Sequence, residues 1–239
     1  MHLSLLLLLL LLLATAVDAA CKPVRTMAPF NVSWFVEHKW FVQAQQPIKY
    51  LPKNEIYCVT AEYKQTSATS VDVHNYANSD RVNGKVSDSG GTLQAIIKDP
   101  AFPAKLQVGP KFLPHLLYGP YWVVASGHLA RDLDPLDHYD WAIISGGQPS
   151  KVSENTCGAG KYELFGQCVA TSTGSGPGEL CDNGEGINNS GLWVFSATQE
   201  MAAGELKQLV EQYVVGNGID PSVLLRVNQT GCAYAPKNE

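Results

Sequence analysis

The chain has 239 residues, 17 of them Lys or Arg and 22 Asp or Glu, for a net charge of −5. That acidic balance argues against nucleic acid or an anionic membrane surface as a partner. The length suits one domain, since all-β barrels commonly reach this size.

Residues 1–19 read as a signal peptide. Residues 5–13 are an unbroken leucine run, too short to span a bilayer. Val17 and Ala19 supply small residues at the −3 and −1 positions, so cleavage is expected before Ala20. The expectation is a secreted, extracellular chain whose single domain covers 20–239. No later apolar stretch is long enough to cross a membrane. Six cysteines follow the leader: Cys21, Cys58, Cys157, Cys168, Cys181 and Cys232. An even count behind a signal peptide reads as three disulfides, whose pairing the spacing leaves open. None of the cysteines has the Cys-x-x-Cys spacing of a zinc or redox site. Sequons at Asn31, Asn188 and Asn228 are acceptors for N-glycosylation in a eukaryotic secretory route.

Eight strand-like runs come next. The first is 40–45. The second, 56–65, alternates, with Tyr57, Val59, Ala61 and Tyr63 on one face and Cys58, Thr60 and Glu62 on the other. That is the period of a half-buried strand. The third, 69–77, sets Val71, Val73 and Asn75 against Asp72 and His74. The fourth runs from 81 towards 98 and is broken near Gly90-Gly91, where a bend would let a barrel curve. Four more follow at 105–108, 121–126, 139–145 and 192–195. The last three are apolar on both faces, so something must cover their outer side. The candidate is an amphipathic helix over 201–215, with Thr198 as N-cap and Met201, Leu206, Leu209, Val210 and Tyr213 at helical spacing. Gly216 and Gly218 end it, and a short strand at 223–227 leads to Cys232.

Consecutive strands with short loops form a meander, and eight can close into an up-and-down antiparallel barrel. Such a barrel has room for one small ligand. One segment breaks the pattern. Residues 146–191 separate the seventh and eighth runs and hold eleven of the 21 glycines and three of the six cysteines. Its cysteines suggest a stapled lobe, and 174–178 (GSGPG) reads as a flexible stretch.

Catalytic and metal motifs are weak. There is no Gly-x-Ser-x-Gly elbow and no strand–helix alternation to support one. His128, Asp132, Asp134, Asp137, His138 and Asp140 lie close together, but their spacing departs from a calcium loop. They read as a solvated acidic hairpin, so no metal is expected. The glycines at 174–178 have neither the preceding strand nor the following helix of a phosphate cradle. No cofactor is expected.

The aromatic set Tyr57, Tyr63, Tyr121, Trp122, Tyr139, Trp141, Trp193 and Phe195 lies on strands where alternate residues face inward. Together with the segment PFNVSWFVEHKWF ending at Phe41, the run YCVTAEY (57–63), PYWVV (120–124), YDWAII (139–144) and LWVF (192–195), it resembles the lipocalins. The resemblance is greatest to the branch of apolipoprotein D, insect bilin-binding proteins and bacterial lipocalin, and it covers nearly all of 20–239. It implies an all-β, eight-stranded barrel with one C-terminal helix packed outside. It also implies a carrier, not an enzyme, of a small hydrophobic ligand (a sterol, fatty acid, retinoid, carotenoid or bilin), the alternatives being an interaction or defence lipocalin acting through its loops and a lipocalin enzyme acting on a lipid or carotenoid. The ligand would meet Tyr57, Val59, Tyr63, Val73, Asn75, Tyr121, Trp193 and Phe195. Of these, Asn75, Tyr63 and Tyr121 would fix its orientation. A lipocalin isomerase of the prostaglandin type would need a free thiol in the barrel, and even pairing leaves none.

The resemblance further implies the bonds Cys58–Cys232 and Cys21–Cys157, which leaves Cys168–Cys181 to staple the insertion. It places the 146–191 insertion at the ligand entrance, as a lid or a site for a protein partner. Two positions depart from the family. Its glycine two residues before Trp40 is His38 here, and its arginine at the end of the eighth strand is Ala197. The base of the barrel must be closed another way, and the residues before Trp40 are the candidates.

Overall fold

A computed structural model describes residues 21–129, 137–154, 156–173, 176–186 and 188–234. The signal peptide expected at 1–19 lies outside the described residues. A short helix, α1 (Val32–Phe35), precedes the sheet. The eight expected runs become β1 (Trp40–Gln45), β2 (Tyr57–Ser67), β3 (Ser70–Ser79), β4 (Lys85–Asp88) with β5 (Leu93–Ile97), β6 (Lys105–Pro110), β7 (Gly119–Gly127), β8 (Trp141–Ser145) and, after the insertion, β13 (Leu192–Ser196). The fourth run is divided in two around Gly90 and Gly91, both at positive φ. Its first half pairs with the end of β3 and its second half with the start.

Each of the eight runs pairs antiparallel with the next, and β13 returns to β1 through Phe41–Ser196 and Gln45–Trp193, which closes the barrel. Closure removes the sheet edges that would otherwise invite aggregation. An eight-stranded closed antiparallel barrel with a helix outside is the lipocalin fold.

Strand alternation sorts the apolar residues into two cores. Inside the barrel lie Trp40, Val59, Val71, Val73, Val123, Ile144 and Phe195. Outside it, Trp141, Ile143, Leu192 and Val194 pack with α2 (Ala203–Leu209) and its continuation through a π-turn (Val210–Val214) and a 3-10 turn (Val215–Asn217). The helix starts later than expected. Ala202 caps it without a side-chain bond, while Thr198 Oγ1 is 2.9 Å from Ser196 Oγ and donates to the Glu200 carbonyl. The eighth run's outer face thus finds the cover its sequence demanded.

The helix shares that task with the insertion. Strands β10 (Lys161–Leu164) and β11 (Gln167–Ala170) form a hairpin, and β9 (Lys151–Val152) pairs with β12 (Cys181–Asp182). Tyr162, Leu164 and Leu180 are buried in the outer core beside α2, and Arg226 stacks over Phe165. The body of the insertion is therefore part of the barrel's outer wall. Among the described residues of the insertion, Gly146 and Asn188–Ser190, at its two ends, line the barrel cavity. The expected place beside the cavity thus holds for those ends, while the hairpin packs on the outer wall.

Two of the three disulfides also differ from expectation. Cys58–Cys232 is present, but the other bonds are Cys157–Cys168 and Cys21–Cys181 rather than Cys21–Cys157 and Cys168–Cys181. The reason is local. The β10–β11 hairpin reverses the chain and puts Cys157 within 5.4 Å of Cys168, Cα to Cα. Cys181, on β12, sits beside the N-terminal segment, where Val24 N donates to Gln148 Oε1. No cysteine is free. Among the described residues, no helix is long and apolar enough to cross a membrane.

Candidate functional site

A cavity of about 680 Å³ occupies the barrel. Its volume falls within the range of sites that hold a small molecule. The pairing register explains its walls. Ala61 lies opposite Asn75 and Tyr63 opposite Val73, so the inward face of β2 meets the inward face of β3. Trp193 and Phe195 project inward from β13, and Tyr121 from β7. Gly191 holds a positive φ, and any Cβ there would collide with the Trp193 indole, so only glycine lets that ring lie where it does.

Seven of the eight expected contact residues line this cavity: Val59, Tyr63, Val73, Asn75, Tyr121, Trp193 and Phe195. Tyr57 does not. The chain bulges between Tyr57 and Thr60, with Cys58 at φ 53°, and pairs Tyr57 with Asn78 and Thr60 with Tyr76. One extra residue flips the parity, so Tyr57 falls in phase with Thr60 on the outer face. Of the remaining aromatics, Trp141 packs on Tyr213 of the helix at 4.9 Å, and Trp122 joins the same outer core. Tyr139 lies just before β8 and stacks on Phe30 at the barrel base, where its hydroxyl accepts from Asn31 N at 3.0 Å.

The main polar feature of the wall is a pair of tyrosines. The hydroxyls of Tyr63 and Tyr121 are 2.6 Å apart. Burial lifts both above the ordinary phenol range, so both stay neutral. Gln45 is a lining residue the alternation did not single out. Its Nε2 donates to the Glu55 carbonyl, and its Oε1 is buried with no partner among the described residues. The charged lining residues Lys49, Glu55 and Asp88 come from the loop after β1 and the end of β4, which border the mouth.

The floor is aromatic. Trp40 is fully buried, its Nε1 donates to the Phe35 carbonyl at 2.8 Å, and its ring lies 5.3 Å from Phe35 and 4.6 Å from His38. The residues before Trp40 thus close the base, as expected from Ala197 at the end of the eighth run. His38 supplies a ring against the indole.

His38 makes the base sensitive to acid. Burial lowers the His38 pKa below 6.5, and the neighbouring His138 lowers it further, against the pull of Asp140 and Glu37. The unfolded chain then takes up a proton more readily than the folded one, so stability rises with pH. The His38 contribution is complete above pH 6.5 and is lost as pH falls through the lower folded value. His138 acts in the opposite sense, because its bond to Asp137 raises its pKa. It is two-fifths exposed, so water screens that effect. Urea unfolding at pH 7.5 and pH 5 should show wild type losing more stability on acidification than His38→Phe. Equal losses would clear His38 of the effect.

The acidic hairpin is described only in part. Asp132 and Asp134 lie outside the described residues. Asp140 accepts from Leu129 N at 2.8 Å and sits 3.3 Å from His138 Nε2. Among the described residues, no group of three or more His, Cys, Asp or Glu side chains is placed to hold a metal ion. Asn31, Asn188 and Asn228 are all exposed.

No protein-family model and no curated protein sequence matches the chain. Solved structures do. Apocrustacyanin C2 is 12% identical, with 91% of this chain and 94% of that one covered and a TM-score of 0.46. The cockroach allergen Per a 4 is 10% identical, with 88% and 96% covered and a TM-score of 0.48. The amine-binding protein of Rhodnius prolixus, solved with tryptamine, is 13% identical, with 91% of each chain covered and a TM-score of 0.46. The fold assignment stands on the closed strand pairing itself.

Proposed function

We propose that this chain is a secreted lipocalin that binds and carries one small hydrophobic ligand in its barrel, and that it catalyses no reaction. The observation that carries the reading is the cavity of about 680 Å³, walled mainly by Val59, Val73, Trp193, Phe195 and other apolar side chains. Burying apolar ligand surface there contributes about 25 cal/mol per Å². The leader sequence and three disulfides support an oxidising, extracellular setting. The Cys58–Cys232 bond supports placing it with the apolipoprotein D and bilin-binding branch. The exposed sequons at Asn31, Asn188 and Asn228 fit a secreted glycoprotein.

Diphenylhexatriene, an uncharged hydrocarbon that fluoresces on leaving water, tests this directly. Wild type should take it up at one site per chain. Ala61→Trp, which fills the cavity between β1 and β3, should weaken uptake by at least about tenfold. Near-UV circular dichroism checks that the barrel remains. Equal uptake by the folded variant would place the dye elsewhere and remove the basis for the reading.

A further inference from the structure

The Tyr63–Tyr121 pair leaves one hydrogen unassigned. Two phenolic hydroxyls carry two hydrogens, and a single bond between the two oxygens uses one. No other partner of either hydroxyl is found among the described residues. The pair is partly buried at the cavity wall, where a donor without an acceptor is costly. The unfilled need faces the cavity that both rings line.

The surroundings narrow what meets it. The Tyr63 ring lies 5.0 Å from Phe35 at the floor, and the Tyr121 ring 6.4 Å from Trp193. The charged side chains of the lining belong to the mouth. An ionised carboxylate brought to this pair would leave water with no cation to meet it, and an ammonium would find no carboxylate. A neutral oxygen acceptor carries neither cost.

Building on the carrier reading above, we infer that the cavity selects a neutral ligand bearing a carbonyl-type oxygen, which accepts a hydrogen bond from the Tyr63–Tyr121 hydroxyl pair. The pair behaves as one donor unit. In Tyr63→Phe or Tyr121→Phe, the remaining hydroxyl no longer donates to its partner and is released to the ligand. Only loss of both removes the donor.

The test uses two steroids that differ in one carbonyl, 5α-androstan-3-one and 5α-androstane, each displacing diphenylhexatriene. Tyr63→Phe combined with Tyr121→Phe should weaken the ketone about five- to tenfold and the hydrocarbon less than twofold. Each single variant should stay within about threefold of wild type for the ketone, so the two losses are not additive. The inference is overturned if the double variant weakens both steroids alike or neither, or if wild type takes up the dye but not the ketone. In each of those cases the dye still binds wild type and the carrier reading stands. If the dye itself does not bind, the carrier reading falls and takes the inference with it.

Discussion

Trp40→Ala should lower the free energy of unfolding by about 3–5 kcal/mol, the range for a large aromatic removed from a packed core. Trp40 is the largest fully buried side chain among the described residues. It holds the floor together from several sides, through Phe35, His38 and Phe195, with its indole N–H on the Phe35 carbonyl. Alanine leaves a void among these rings and an unpaired carbonyl, and the short helix α1 loses its anchor to the barrel. Trp40→Phe keeps part of the packing and should cost less. Urea unfolding of the two variants gives both numbers. A loss under about 1 kcal/mol for Trp40→Ala would mean that the base is held by something other than this ring.

Tyr162→Ala should be comparably damaging, at about 3–5 kcal/mol, although Tyr162 is far from the cavity lining. It is fully buried on β10, in the outer core with Leu164, Leu180, Leu206 and Leu224. Its hydroxyl has no partner among the described residues, so Tyr162→Phe should change stability by less than about 1 kcal/mol. Uptake of diphenylhexatriene should be the same in both folded variants as in wild type. This pair of measurements separates a wall from a lid. A variant that unfolds no more easily, yet exchanges the dye several times faster, would make the insertion a lid.

Much of the barrel was legible in the residues. Alternation in YCVTAEY and the apolar runs at 121–126, 139–145 and 192–195 reports local burial, and burial on a strand repeats every two residues. The break at Gly90-Gly91 was readable because glycine there marks a bend. The face of Tyr57 was not, because the bulge beside Cys58 depends on pairing with β3 and on the contact of Tyr57 with Asn228. The pairing of Tyr63 with Tyr121 was equally hidden. Their hydroxyls meet across the cavity from strands 58 residues apart in sequence.

The sequence alone determined the order of the eight barrel runs, the presence of an outer helix and the two-sided burial of the last strands, since each is set by the pattern of neighbours along the chain. Only the tertiary structure decided which cysteines meet, where the insertion lies and what closes the base. Those outcomes depend on contacts between distant segments. The hairpin of the insertion claims Cys157 for Cys168, apolar residues on that hairpin find cover beside the helix, and His38 and Phe35 fold back under Trp40.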